Sequence, residues 1–295
     1  MTEIHAIRWI PEGEIWAVLQ ISHGMVEFIE RYEEFASYLA GRGVLVTGND
    51  HLGHGHSVRS QAEYGYFAKE KGNTVLLQDI HHLRKLTQKR YPQAPYFLLG
   101  HSMGSFLVRQ YLCLRGEGLA GAVIMGTGTK PRVLVKAGMA VCRVIASRRG
   151  WRHRSRLVDA MAFGGYNRRL KHPRTDRDWL TREESLVDAY IADERCQFLF
   201  TMNGYYNLFY SLYCLSLPKY VARMPRDLPV LFVAGEEDPV GDYGAGVKKV
   251  AREFRRIGVK QVECHLYPED RHEILNELDR ETVYEDLYRW MGKRI

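Results

Sequence analysis

Gly100-His101-Ser102-Met103-Gly104 stands between two apolar segments that define what it is. Pro95-Tyr96-Phe97-Leu98-Leu99 precedes it and reads as a buried strand. Ser105-Phe106-Leu107-Val108-Arg109-Gln110-Tyr111-Leu112 follows it with apolar residues at helical spacing. A serine on a sharp strand-to-helix turn needs small residues two positions before and two after, because the backbone crosses itself there. The hydroxyl then projects from the top of a sheet, and the helix N-terminus behind it favours developing negative charge.

Outward from this turn the chain alternates strands and helices. Glu14 to Ser22 reads as a strand ending at His23-Gly24, with Ile4 to Ile10 as the other arm of a hairpin. A helix is expected from Phe28 to Leu39 and a strand at Val44 to Thr47. Next comes a Gly- and His-rich loop from Asp50 to Ser57, then a helix from Val75 to Arg90. Ala122 to Met125 is a further short strand. After a long helical block the alternation resumes with strands at Pro229 to Gly235 and Val262 to Tyr267. Helices near Gly246 to Arg256 and Ile274 to Trp290 complete the pattern. Such alternation implies a mostly parallel sheet covered by helices on both faces. Residues 1–127 and 228–295 would form this α/β core, and 128–227 an inserted helical cap.

The 295 residues carry a net charge of +7, unevenly spread. Lys130 to Arg182 holds 15 Lys and Arg against Asp159, Asp176 and Asp178, while the remainder holds 27 basic and 32 acidic residues. The basicity therefore belongs to the insert, which argues against a nucleic-acid binder. It is either a solvated basic face or a surface attracted to anionic lipid headgroups or to an anionic substrate. Five dispersed cysteines without a Cys-x-x-Cys pair suggest reduced thiols, and the N-terminus lacks signal-peptide character, so a cytoplasmic protein is expected. No apolar run has the length to span a bilayer.

A serine hydroxyl needs a base within hydrogen-bond reach, oriented in turn by a carboxylate. Asp238 lies in the loop after the strand Pro229 to Gly235, and His272 in the loop after Val262 to Tyr267. Ser102, Asp238 and His272 thus each follow a strand, in the order serine, acid, histidine. Glu236 and Glu237 compete for the carboxylate role, and His265 is the weaker base candidate because it sits within a strand. The N–H groups of Met103 and of Met25, after the turn at His23-Gly24, would receive an oxyanion. His51, His54 and His56 with Asp50 resemble metal ligands only superficially, since glycines interleave them and no further ligands match. They are expected to brace the rim of the site.

Taken together these motifs resemble the monoacylglycerol lipase and lysophospholipase branch of the α/β-hydrolases, also described as serine aminopeptidase-like. The resemblance rests on His23-Gly24, Asp50 to Ser57, Gly100 to Gly104, Gly235-Glu236-Glu237-Asp238-Pro239-Val240 and His272-Glu273. It implies a lipid ester substrate, an acyl-binding channel under the cap, and no metal or organic cofactor. Ser102, Asp238 and His272 would be the triad and Met25 and Met103 the oxyanion donors. His23, Gly24, His101, Tyr205 and Phe209 are expected to line the substrate site. The aromatic run Phe198, Phe200, Tyr205, Tyr206, Phe209, Tyr210 and Tyr213 has helix-packing spacing and could in part line a tunnel. Peptide hydrolysis at a free N-terminus needs a carboxylate in the cap, for which Glu183, Glu184, Asp188, Asp193 and Glu194 are candidates. A non-catalytic binding protein on the same scaffold is the third reading.

Overall fold

A computed structural model describes residues 2–295. Seven strands form one sheet: β1 Ala6–Trp9, β2 Ala17–Ser22, β3 Val44–Asn49, β4 Tyr96–His101, β5 Gly121–Met125, β6 Val230–Gly235 and β7 Val262–Tyr267. Their order across the sheet is β1-β3-β2-β4-β5-β6-β7. Every pairing is parallel except β1 with β3. The expected hairpin between the first two strands is therefore wrong. β1 crosses over to the edge and pairs with β3, in register Ala6 opposite Asn49, because β2 is flanked on both sides by parallel partners.

Strands β2 to β6 are buried throughout, as a sheet covered on both faces requires. Their residues alternate between two apolar layers. Val18, Leu45, Leu98, Ala122 and Phe232 face the helices α2 (Gly72–Arg90), α3 (Met103–Arg115) and α9 (Ala245–Arg256). Leu19, Val46, Phe97, Leu99, Val123 and Val233 face α1 (Glu33–Ala40) and α10 (Arg280–Gly292). The helix expected over Phe28 to Leu39 begins as a 3-10 turn at Ile29–Tyr32 before α1. The expected C-terminal helix is also split, into a 3-10 turn at Ile274–Asn276 and α10, where Glu277 turns inward to bond Arg182.

Between β5 and β6 the chain leaves the sheet for α4 (Arg132–Arg149), α5 (Arg156–Phe163), α6 (Glu184–Ala192), α7 (Met202–Leu215) and α8 (Pro218–Val221). α7 packs on α4 and also on α2 and α3, so the inserted segment is anchored to the sheet-flanking layer. Arg182 locks it a second time, bonding Glu277, Asp279, Asp270 and Glu269 in the β7–α10 connection. Among the described residues no helix is long and apolar enough to cross a membrane.

Candidate active site

Ser102 has φ 53° and ψ −118°, a combination that L-residues rarely adopt. It is held there from both sides. Its N–H donates to the Met125 carbonyl at 3.0 Å, and its own carbonyl accepts from the Ser105 N–H at 3.0 Å. A Cβ at position 104 would overlap the Ser22 carbonyl oxygen, and one at position 100 would run into the Gly104 backbone. The glycines are therefore what allows α3 to press against β2 and β4 while Ser102 points outward. Met103 is the first residue of α3, so its N–H has no intrahelical acceptor.

His272 lies in the loop after β7 and Asp238 in the loop after β6, adjacent strands that bring the two side chains together. His272 Nδ1 and Asp238 Oδ1 are 2.9 Å apart, with both side chains buried. The same oxygen accepts the Val240 N–H at 2.9 Å, which fixes the carboxylate. With Nδ1–H directed at Asp238, the imidazole presents Nε2 as its acceptor. Glu236 and Glu237 are solvent-exposed, and His265 is an exposed strand residue. The Trp179 ring packs on the imidazole at 5.1 Å between centroids. Among the described residues no hydrogen bond joins Ser102 Oγ to the imidazole; such bonds are often long before substrate binds.

Beneath these loops lies a buried ionic network that sequence reasoning missed. Glu27 Oε1 accepts from the Gly24 N–H, from Tyr32 Oη at 3.1 Å and from His101 Nδ1 at 3.0 Å. Arg31 joins Glu27 at 3.2 Å and grips Glu273 with two bonds of 2.7 and 2.8 Å. His101 Nε2 is 3.3 Å from the His272 carbonyl. One network thus ties the turn after β2, the serine turn and the histidine loop. Burial opposes the His101 cation, but the hydrogen bond and charge of Glu27 prevail and raise its pKa above 6.5. Burial likewise opposes the Glu273 carboxylate, yet Arg31 holds it down at about 2. The available signal was Glu27 itself, an acid inside the apolar run Met25-Val26-Glu27-Phe28-Ile29.

The Gly- and His-rich loop divides its duties. His23, His51 and His54 pack together in the interior with ring centroids 4.2 to 6.2 Å apart. The His51 N–H donates to His23 Nε2 at 2.9 Å, so His23 Nδ1–H donates to the Gly24 carbonyl at 2.8 Å. Burial pushes His51 down to about 4 and His54 to about 3, so all three rings are neutral at pH 7. Asp50 turns the other way, accepting the Ile29 and His56 N–H groups at 2.8 and 2.7 Å. His5, Glu30 and Asp50, and separately Asp270, Glu277 and Asp279, have metal-compatible spacing. The second of these groups is already occupied by the Arg182 guanidinium.

A cavity of about 460 Å³ opens over Ser102 and His272. Met25, Met103, His101 and Phe209 are on its wall, and Asp238 lies behind His272. The apolar lining comes chiefly from the inserted segment, including Leu134, Val141, Val158, Leu208 and Leu212. Three expected lining residues are not there. His23 is fully buried beneath the turn, and Gly24 is spent on the bond to Glu27. Tyr205 is also fully buried; its ring packs on Phe200 and its hydroxyl donates to Asp159 at 2.5 Å.

A mostly parallel sheet with serine, acid and histidine after β4, β6 and β7, under an inserted helical segment, defines an α/β-hydrolase, and the chain is an enzyme of that class. The family profile described as "Serine aminopeptidase, S33" matches residues 13–279, and the chain belongs to that family. Human monoglyceride lipase is 37% identical over 295 residues, covering 97% of this chain and 86% of the relative. Mycolicibacterium smegmatis monoacylglycerol lipase is 25% identical over 286 residues, 96% and 90% respectively. A thermostable carboxyl esterase from Bacillus coagulans, solved with glycerol, superposes with a TM-score of 0.92 at 27% identity, covering 99% and 94%.

Proposed function

We propose that the protein is a serine carboxylester hydrolase of lipid acyl esters, a monoacylglycerol or a lysophospholipid. The observation that carries this reading is the cavity itself: a large apolar chamber with Ser102 and His272 on its wall. Ser102 attacks the ester carbonyl while His272 Nε2 takes its proton. Asp238 holds the imidazole in that tautomer and stabilises its cation. The N–H groups of Met103 and Met25 receive the oxyanion. His272 then protonates the departing alcohol, and water repeats the sequence on the acyl-enzyme. The acyl chain occupies the apolar wall, leaving the alcohol portion beside Glu27, His101, Tyr190 and Glu273.

The cavity mouth supports a membrane-facing role for the inserted segment, which acts as a cap. Leu134 and Met161 line the cavity yet are 62% and 69% exposed, and Val133 and Leu157 extend the same apolar patch. Arg132, Lys136, Arg148, Arg149, Arg152 and Arg156 are exposed on the same helices and their connection. An apolar patch flanked by cations suits an anionic lipid surface from which an acyl chain can enter.

Peptide hydrolysis is the second reading, favoured by Asp159, a carboxylate on the cavity wall. Glu183, Glu184, Asp188, Asp193 and Glu194 are not on that wall, and Arg177 is, which weighs against an ammonium substrate. Turnover of monooleoylglycerol, lysophosphatidylcholine, short p-nitrophenyl esters and an aminoacyl fluorophore separates the readings. Long-chain lipid turnover well above the others is expected. Turnover confined to the aminoacyl substrate would replace the lipid reading with the peptidase one.

A further inference from the structure

A second concavity, of about 350 Å³, lies at the opposite end of α3 from Ser102. Its wall includes His81, Arg84, Lys85, Arg115 and Arg223, with Glu117 as the one acid. It shares no lining residue with the cavity over Ser102. Thirteen helical residues put roughly 18 Å between the two ends of α3.

The clustering of cations around one concavity, without acids to pair them, is what marks this place. Arg31 and Arg182 are held by carboxylates, Glu27 and Glu273 for the first and four acids for the second, whereas buried Arg109 rests on Thr127 and the Gly128 carbonyl. Among the described residues no ion pair involves Arg84, Lys85, Arg115 or Arg223. Arg84 is 5% exposed, and its guanidinium is spent on the carbonyls of Arg115 and Glu117, each at 2.8 Å. It thereby neutralises the negative end of α3 and fixes the floor of the pocket. Arg115 donates to His81 Nε2 at 3.2 Å, while His81 Nδ1 is 2.7 Å from the Tyr111 hydroxyl. Burial and the surrounding cations lower the His81 pKa, so the ring adds no charge of its own at neutral pH. Lys85 and Arg223 stand exposed at the rim with no carboxylate partner.

From these observations we propose that the pocket formed by Lys85, Arg115 and Arg223 around Arg84 is a binding site for a small soluble phosphate-bearing anion. Guanidinium groups match phosphate oxygens in pairs, and a lysine adds a point charge. The volume exceeds what one phosphate fills, so the phosphate is carried on a larger molecule or paired as a diphosphate. A concave site suits a dissolved ligand better than it suits a planar headgroup layer.

The intact protein is titrated calorimetrically with inorganic phosphate and with pyrophosphate, against sodium chloride at matched ionic strength. One saturable site is expected, with pyrophosphate the tighter ligand and the His81 ring resonances shifting on binding. Lys85→Ala with Arg115→Ala should weaken it at least tenfold; both residues are exposed, and an unchanged Tm checks the fold. Ser102→Ala should leave binding intact. Equal heats from chloride, or binding indifferent to the double substitution, would overturn the proposal. So would capture by phosphatidic acid vesicles without binding of either soluble anion, which would assign the cations to a lipid surface.

Discussion

Ser102 sits in backbone territory that suits glycine, and that strain is where the proposed chemistry and stability pull apart. A residue held in such a region costs about 1–3 kcal/mol. Ser102→Gly should therefore raise the unfolding free energy by about 1 kcal/mol while abolishing ester hydrolysis, as thermal denaturation and a turnover assay would reveal. Unchanged or lower stability would mean that the turn is not strained. Glu27 makes the opposite case. It is buried, and Glu27→Gln leaves His101 without its anion and Arg31 with Glu273 alone. Breaking a buried pair costs on the order of 3 kcal/mol, and the same change should lower kcat more than it raises KM. It should also return His101 to a lower pKa, visible in the imidazole proton resonances. A drop in stability with kcat intact would reduce the network to a structural role. The placement of Ser102, Asp238 and His272 was legible because each stands in a turn directly after an apolar strand, a local signal. The network of Glu27, Arg31 and Glu273 was not: Glu27 in its apolar run and the local Glu27–Arg31 pair hint at it, but the Arg31–Glu273 bond that completes it spans 242 positions.

Among the elements, the turn at His23 and the loop from Asp50 to Ser57 bring together three histidines that burial keeps neutral. His23, His51 and His54 are neutral when folded, with folded pKa values below the 6.5 of an open chain. Below pH 6.5 the unfolded chain takes up protons that the folded rings refuse, so stability falls as pH falls. For His51 the loss continues to about pH 4, and its shift corresponds to roughly 3 kcal/mol. The His101–Glu27 pair has the other sign for its histidine: its contribution is complete below pH 6.5 and fades as pH rises through the raised value. Glu273 contributes fully above pH 4.5 and loses it only towards about 2. The histidine trio thus removes stability between pH 6.5 and 4, and Asp79, raised by burial to about 6, works against it in that window. His54→Phe, placed among Phe67, Phe198 and Phe200, should flatten the acid limb in denaturant titrations between pH 6.5 and 4. An unaltered slope would locate the acid sensitivity elsewhere. The strands were readable because buried parallel strands are short, continuous apolar runs. The β1 pairing was not, because a hairpin and a crossover leave the same local pattern and only the occupied edges of β2 distinguish them. Tyr205 was misplaced for a similar reason: helical spacing identifies a helix but not which neighbour each face meets.

At the scale of the whole molecule, the loops of the sheet carry Ser102, Asp238 and His272, and the inserted segment lines the apolar chamber and its exposed mouth. Charge on that segment should matter only where a charged surface is present. Replacing Leu157 and Met161 by Ser should lower turnover of substrate held in anionic vesicles several-fold while sparing soluble short esters. High salt should do the same through screening. Equal losses on both substrates would mean that the patch serves packing and not lipid contact. All of this depends on Ser102 carrying the acyl group. The direct measurement is intact-mass spectrometry of the protein quenched in acid during turnover of monooleoylglycerol. An oleoyl adduct mapped to Ser102, absent in Ser102→Ala, is the expected result. Sustained hydrolysis by Ser102→Ala, or an adduct on another residue, would contradict the account.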